Sequence, residues 1–438
     1  MNQISQINAP TYKELFSTQK SWPFNLLMIG LVFNSFRPDR LLPGGNNILV
    51  YLPTFLVALL LLKWIPLQGK ILKNSQTQFY VLLIFLMILQ LPFVKNFGLA
   101  FQVAKATLIY GITFYLFKIQ FIDTYARINQ YIRLYTVLGV FLALLGLSQG
   151  RVSLPLLSDE NDFCLYVNCL IPFAFFLSQE VRELKKKLFY YGLIAVFVAA
   201  NAASFSRGGF VGLLAVGGYL FLQTKKKAFF AVLVGVTVVG IISLAPPDYL
   251  AEIGTIDRNS YKRDTGSQRL VHWSAGWRMF LDHPISGVGV SNYGPWLPEY
   301  WRGERNPTFM WGRVAHSLYF TLLPEVGIVG TCFFMGMLWG NFKTHRYICQ
   351  LEKNKGTLIS DSDFTLAQKE HISSGIRSLY FFSQAYSGAM IAYLATGAFI
   401  SVLWYSYFWQ LTAFWVLTGN LARKTEYILC NPSKLSSE

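Results

Sequence analysis

KKKLFYYGLIAVFVAANAASFSRGGFVGLLAVGGYLFLQTKKK, residues 185–227, holds two apolar runs, 188–203 and 208–223, with three lysines at either end and one arginine between them. The runs are continuous rather than alternating, which suits helices that satisfy their own backbone in lipid and not strands of a barrel. Two helices that cross a hydrocarbon core of about 30 Å in succession return the chain to the side it left. The lysine triads then share one face, which the positive-inside rule assigns to the cytoplasm, and Ser206-Arg207-Gly208-Gly209 lies on the other.

Outward from this hairpin the same pattern recurs along all 438 residues, of which 53% are hydrophobic and only 14% charged. With a mean hydropathy of +0.38, the chain is too apolar for an ordinary soluble domain. The reading is an all-α polytopic membrane protein of about twelve transmembrane helices, with one large periplasmic loop that contains short helices. The segments run 22–36, 47–64, 77–94, 99–117, 133–148, 163–180, 188–203, 208–223, 228–245, 316–341, 379–396 and 400–419. Its parts are then a cytoplasmic N-terminus (1–21), helices one to nine (22–245), the periplasmic loop (246–315), helix ten (316–341), a cytoplasmic loop (342–378), helices eleven and twelve (379–419) and a cytoplasmic tail (420–438). The first 21 residues are polar and lack the short apolar core and cleavage site of a removable signal, so the first helix serves as its own signal in the inner membrane.

Charge supports this orientation. Of the 38 Lys and Arg, 24 fall inside, 13 outside and Lys105 within a helix, so the net charge of +16 sits mostly on the cytoplasmic face and requires no nucleic-acid partner. The outer basic residues are 11 Arg and 2 Lys, whereas the inner ones are 18 Lys and 6 Arg. Topology is indifferent between the two cations. A planar guanidinium fork binds phosphate or carboxylate oxygens bidentately, so an arginine-rich outer face points to anion recognition; for any one arginine, tolerance of the lipid interface explains it equally well. The five cysteines show neither a disulfide framework nor a zinc spacing.

The outer loop is too long to be a mere connection. Within it QRLVHWSAGWRMFL, 268–281, places Arg269, Trp273, Trp277 and Phe280 at helical spacing, and Pro284 ends the pattern. His316-Ser317 then opens the next membrane helix, where 316, 320, 323, 327 and 330 share one face if the helix is continuous; Gly327 and Gly330 would let a neighbouring helix close on that face. Arg207 before two glycines at a helix N-terminus is a reasonable anion site, or else a snorkelling arginine beside a flexible turn. The acidic turn Asp159-Glu160-Asn161-Asp162 is more readily a solvated turn than a site. His272 and His283, also outside, are rivals to His316 as a base, though neither opens a helix of the bundle.

HSLYFTLLPEVGIVG at 316–330 fits a His-[Asn/Ser/Gln]-x9-Gly-x2-[Gly/Thr/Tyr] motif throughout, and with it the chain resembles the O-antigen ligase and polymerase superfamily of membrane glycosyltransferases. SRGG at 206–209, RLVHWSAGWRMFLDHPISGVGVSNYG at 269–294 and SDENDF at 158–163 extend the resemblance over about the C-terminal two thirds. It implies transfer of a glycan from an undecaprenyl-pyrophosphate-linked donor to the hydroxyl of an acceptor, lipid A–core or another glycan, at the periplasmic face, with inversion and without a metal or other cofactor. In that reaction His316 is the expected catalytic base, and Arg207 and Arg269 the expected pyrophosphate-binding residues. The only Asp-x-Asp, Asp361-Ser362-Asp363, falls in the predicted cytoplasmic loop and reads as a solvated turn. Ligase and polymerase share donor, chemistry and architecture, and the full motif tilts the reading toward ligase. An inorganic-carbon transporter, proposed for some members of the superfamily, would instead bury ionisable groups along its path; only Lys105 and Glu325 lie well inside the expected helices.

Overall fold

The computed structural model describes residues 10–18, 21–36, 73–149, 160–204, 206–225, 227 and 265–431. The predicted spans 47–64 and 228–245, the loop up to 264, Asp159 and the end of the tail lie outside the described residues.

Among the described residues the regular structure is entirely helical. The helices are α1 (Tyr12–Phe16), α2 (Trp22–Phe36), α3 (Ser75–Gln90), α4 (Phe97–Tyr110), α5 (Phe117–Phe121), α6 (Tyr125–Gln149), α7 (Glu160–Glu180), α8 (Leu184–Ala203), α9 (Arg207–Gln223), α10 (Thr265–Asp282), α11 (Tyr293–Tyr300), α12 (Tyr319–Ser360), α13 (Leu366–Gly397) and α14 (Ser406–Cys430). Four stretches among the described residues are long and apolar enough to cross a membrane: Ser75–Phe93, Tyr125–Leu147, Glu160–Glu180 and Tyr319–Ser360. The hairpin 185–227 is present as α8 and α9, but α9 has only 17 residues and α8 opens on its lysines, so neither meets that criterion.

α7 is the axis of the bundle. Every residue from Asp162 to Ser178 is buried, against α6, α8, α9 and α13. Apolar side chains alone give little drive for helices to associate in lipid, so close backbone approach and hydrogen bonds carry the packing. Asn168 supplies both: its Nδ2 donates to the Gly209 carbonyl at 2.8 Å, and its Oδ1 accepts from Asn201 Nδ2 at 2.8 Å. A Cβ on Gly209 would stand 2.4 Å from that of Cys164, so the glycine is what allows α9 to lie this close to α7. Aromatic rings fill the adjoining layer, with Phe173 of α7, Tyr386 of α13 and Phe414 of α14 between 5.3 and 5.9 Å apart.

Lys105 is exposed on α4, so it is not a buried charge. Among the described residues the buried lysine is Lys118, which the expected topology places in a cytoplasmic turn: a π turn over Gly111–Leu116 carries the chain back into the bundle, and Lys118 is 1% exposed. Its Nζ donates to Gln410 Oε1 at 3.2 Å and lies 4.9 Å from the Phe414 ring centre, cation–π contact taking the place of water. The stretch 342–378 is a helical hairpin rather than an open loop. α12 runs through to Ser360, and Thr365 with Gln368 forms the capping box that starts α13.

At one end of the bundle α10 and α11 enclose a second small core of Ala275, Met279, Val288, Tyr293, Leu297, Trp301, Met310 and Ala315. This end carries the candidate site.

Candidate functional site

The helix predicted to open at His316 starts at Tyr319 and breaks at Gly327, which has φ 59° and ψ −163°. The single face proposed for 316, 320, 323, 327 and 330 therefore does not exist. What closes on Gly327 is loop backbone, not a helix: a Cβ there would lie 2.3 Å from the Ile285 carbonyl oxygen. In an unbroken helix the amides of Ile328 and Val329 would bond the carbonyls of Pro324 and Glu325. Instead they donate to Pro284 and Ile285, at 2.8 and 3.2 Å, while the carbonyls of Pro324 and Glu325 accept from Val288 and Gly289, at 2.8 and 3.1 Å. Two helical bonds are exchanged for four bonds to a strap, 284–289, that follows α10. Gly330 behaves more as expected, since a Cβ there would come within 3.0 Å of Leu86 on the neighbouring α3.

Two further side chains hold the strap. Gln90, ending α3, donates to the carbonyls of Ser286 and Glu325 and accepts from the Val290 amide. Glu325, 3% exposed, accepts from the amides of Ser291 (2.9 Å) and Tyr293 (3.2 Å) and from Trp404 Nε1 (2.6 Å). Sequence reading took Glu325 only as a charge inside a helix. Its role here is to tie α11, α12 and the 398–405 turn together, and the motif spacing gives no sign of it.

His316 is half-buried, and its backbone is held at φ 51°, an uncommon value for a residue with a Cβ. Both neighbours fix it. The Ala315 carbonyl accepts from Trp273 Nε1 at 3.0 Å, and the Leu318 amide donates to the Gly397 carbonyl at 2.7 Å. Trp273 also stacks on Phe320, with ring centres 5.1 Å apart and planes 7° from parallel, so α10 is clamped to the start of α12 on both sides of His316. Such strain persists only where the surroundings over-determine it, and it concentrates at working sites.

α10 forms where the Arg269–Phe280 spacing places it, with Ala275 and Met279 buried and Leu270, Trp277 and Leu281 exposed. Arg269 is half-buried near its start. One turn on, His272 is 9% exposed and its ring packs 5.0 Å from that of Trp301. Burial, then the charges of His316, Arg313 and Arg305, push its imidazole down from 6.5 to about 4. His283 packs instead on Trp296, at 5.4 Å.

Arg207 opens α9 and is exposed. The cap before it is built by Ser206, whose Oγ accepts from the Gly209 amide at 2.9 Å and donates to Asn161 Oδ1 at 2.6 Å. Asp162 accepts from the Tyr405 hydroxyl at 2.9 Å, so the described part of the acidic turn binds neighbouring helices together. Gly208 packs on Phe399, two residues beyond the Gly397 that holds Leu318. The structure thus joins α10 directly to His316, and brings Arg207 to the same end of the bundle across the 397–399 turn. A cleft of about 390 Å³ lined by Arg278, Leu281, Asp282, Glu299, Tyr300 and Arg302 contains none of the three predicted site residues.

No curated protein matches the chain. Residues 191–335 match the family model described as O-antigen ligase, a stretch that begins in α8, takes in Arg207, α10, the strap and His316, and ends past Gly330. Over that segment, about a third of the chain, it is similar to the O-antigen ligase family, of the ligase and polymerase type, and its apolar helices are those of a multi-pass membrane protein.

Proposed function

We propose that this protein transfers a glycan from an undecaprenyl-pyrophosphate carrier to an acceptor hydroxyl, of lipid A–core or another glycan, at the periplasmic face of the inner membrane. The observation that carries this reading is the clamped, strained His316 beside an arginine-bearing loop helix. A lipid pyrophosphate is already a good leaving group, so the reaction asks for two things from the protein. One is a base for the acceptor hydroxyl, a role worth roughly 10²–10⁴ in rate, which His316 fills. The other is fixed positive charge for the departing phosphates, which Arg269 and Arg207 supply as preorganised guanidinium groups. A single displacement inverts the anomeric centre and needs no metal.

The test is consumption of a lipid-pyrophosphate-linked glycan by the purified protein in the presence of a chelator. His316→Ala and Arg269→Ala are expected to abolish transfer in protein that remains folded. Arg207→Lys is expected to fail as well, because a point charge does not replace a bidentate fork. Full activity of His316→Ala removes the assigned base. Offering lipid A–core and carrier-linked glycan acceptors side by side separates ligase from polymerase, and bicarbonate uptake by the same protein in liposomes would favour a carrier.

A further inference from the structure

We propose that His272 is a third phosphate-binding group of the site, donating a hydrogen bond from a neutral imidazole to the same pyrophosphate that Arg269 holds. The inference rests on the donor assigned under the proposed function and adds to it a residue that neither the motif nor the superfamily match singles out.

Three observations converge on this residue. His272 follows Arg269 by three positions on α10, so the two side chains lie one turn apart on neighbouring parts of the same face. It is nine-tenths buried, and its Nδ1 is closed off from solvent with no hydrogen-bond partner among the described residues. The next residue, Trp273, donates to the Ala315 carbonyl beside His316, and the charges of His316, Arg313 and Arg305 act on the His272 ring, so the ring belongs to the seam where the reaction is placed.

The chemistry follows from where the ring proton sits. A neutral imidazole has one N–H and one bare lone pair. Orphaned buried N–H groups are rarer than under-satisfied acceptors, so the shut-in Nδ1 is assigned the lone pair and Nε2 the proton. Burial disfavours the charged ring, the charges of His316, Arg313 and Arg305 add to this, and the downward shift to about 4 keeps it neutral at working pH. A ligand that brings acceptor oxygens for a neutral Nε2–H into a seam beside arginines is a phosphate. Trp301 against one side of the ring fixes its plane.

Undecaprenyl pyrophosphate itself is the probe, its binding to purified full-length protein being measured apart from turnover. His272→Phe keeps a flat ring against Trp301 and removes both nitrogens; His272→Gln keeps an amide N–H at similar reach. The Phe variant is expected to bind at least about tenfold more weakly, the size of one hydrogen bond to a charged group, and the Gln variant to stay within about threefold of wild type. Thermal unfolding of both variants confirms that they are folded. Wild-type affinity in His272→Phe, or equal loss in the two folded variants, overturns the proposal. Arg269→Ala separates the two levels of the argument: if it too binds the probe normally, the phosphate assignment beneath the proposal fails, whereas loss in Arg269→Ala with none in His272→Phe removes His272 alone.

Discussion

Two pairs of glycines, Gly208-Gly209 at the start of α9 and Gly327 with Gly330 in α12, look alike on paper: small residues at a helix that borders the outer loop. They do opposite things. Gly209 sits in a regular helix capped by Ser206, and its missing side chain lets Cys164 and the Asn168 amide come up against the backbone. Gly327 is where the helix stops being regular, and its missing side chain permits a positive φ and the entry of a strap. One glycine brings two helices together, and the other opens a helix to a loop. Composition cannot separate these roles, because both rest on the absence of the same atom.

Substitution separates them. Gly327→Ala combines a disallowed backbone with a contact of 2.3 Å to the Ile285 oxygen, and it is expected to cost more than about 3 kcal/mol and to abolish glycan transfer. Thermal unfolding and the transfer assay check both; a stable, active variant would show that the strap is dispensable. Gly209→Ala meets the Cys164 side chain at 2.4 Å and the Ser206 hydroxyl at 3.1 Å, both side chains rather than backbone, and overpacking of about 1–3 kcal/mol is expected with transfer retained in the folded fraction. Ser206→Ala removes the cap of α9 while leaving both glycines, for about 1 kcal/mol, and any loss of transfer beyond that shows that the cap also orients Arg207.

The smallest effect expected is one of pH. The folded-state pKa of His272 lies below its ordinary value, so the unfolded chain binds the extra proton first. Its contribution to stability is complete above about 6.5 and declines as pH falls toward about 4. The midpoint of thermal unfolding should therefore drop between pH 7 and pH 5 by less in His272→Phe than in wild type. An equal drop would assign the acid sensitivity to other groups.

Much of the scaffold was legible because hydropathy acts over whole segments. The described helices cover ten of the twelve expected spans, and α10 lies where Arg269, Trp273, Trp277 and Phe280 predicted it, ending before Pro284. The break at Gly327 was not legible. Positions 316, 320, 323, 327 and 330 satisfy a helical period perfectly well, and the partner that disrupts the period is 40 residues away at 284–289. Pro324 was the one local hint. The burial of Lys118 was illegible for a related reason: charge patterning treats a lysine after an apolar run as the end of a span, and cannot see a π turn that leads it back under Phe414. His316 and Arg269 are candidates through residue type, spacing and the motif that carries the resemblance. His272 and Glu325 owe their surroundings to contacts between distant segments, and a single sequence does not encode those in any local pattern.

The exchange of hydrogen bonds at Gly327 bears on how this end of the molecule can move. Detaching the strap would strand the amides of Val288, Gly289, Ile328 and Val329 and the carbonyls that receive them, in surroundings where each unpaired group costs energy. The strap therefore does not swing as a lid. In hydrogen-exchange terms these four amides, drawn from two segments about 40 residues apart in the chain, should open together as one cooperative unit and at a common rate.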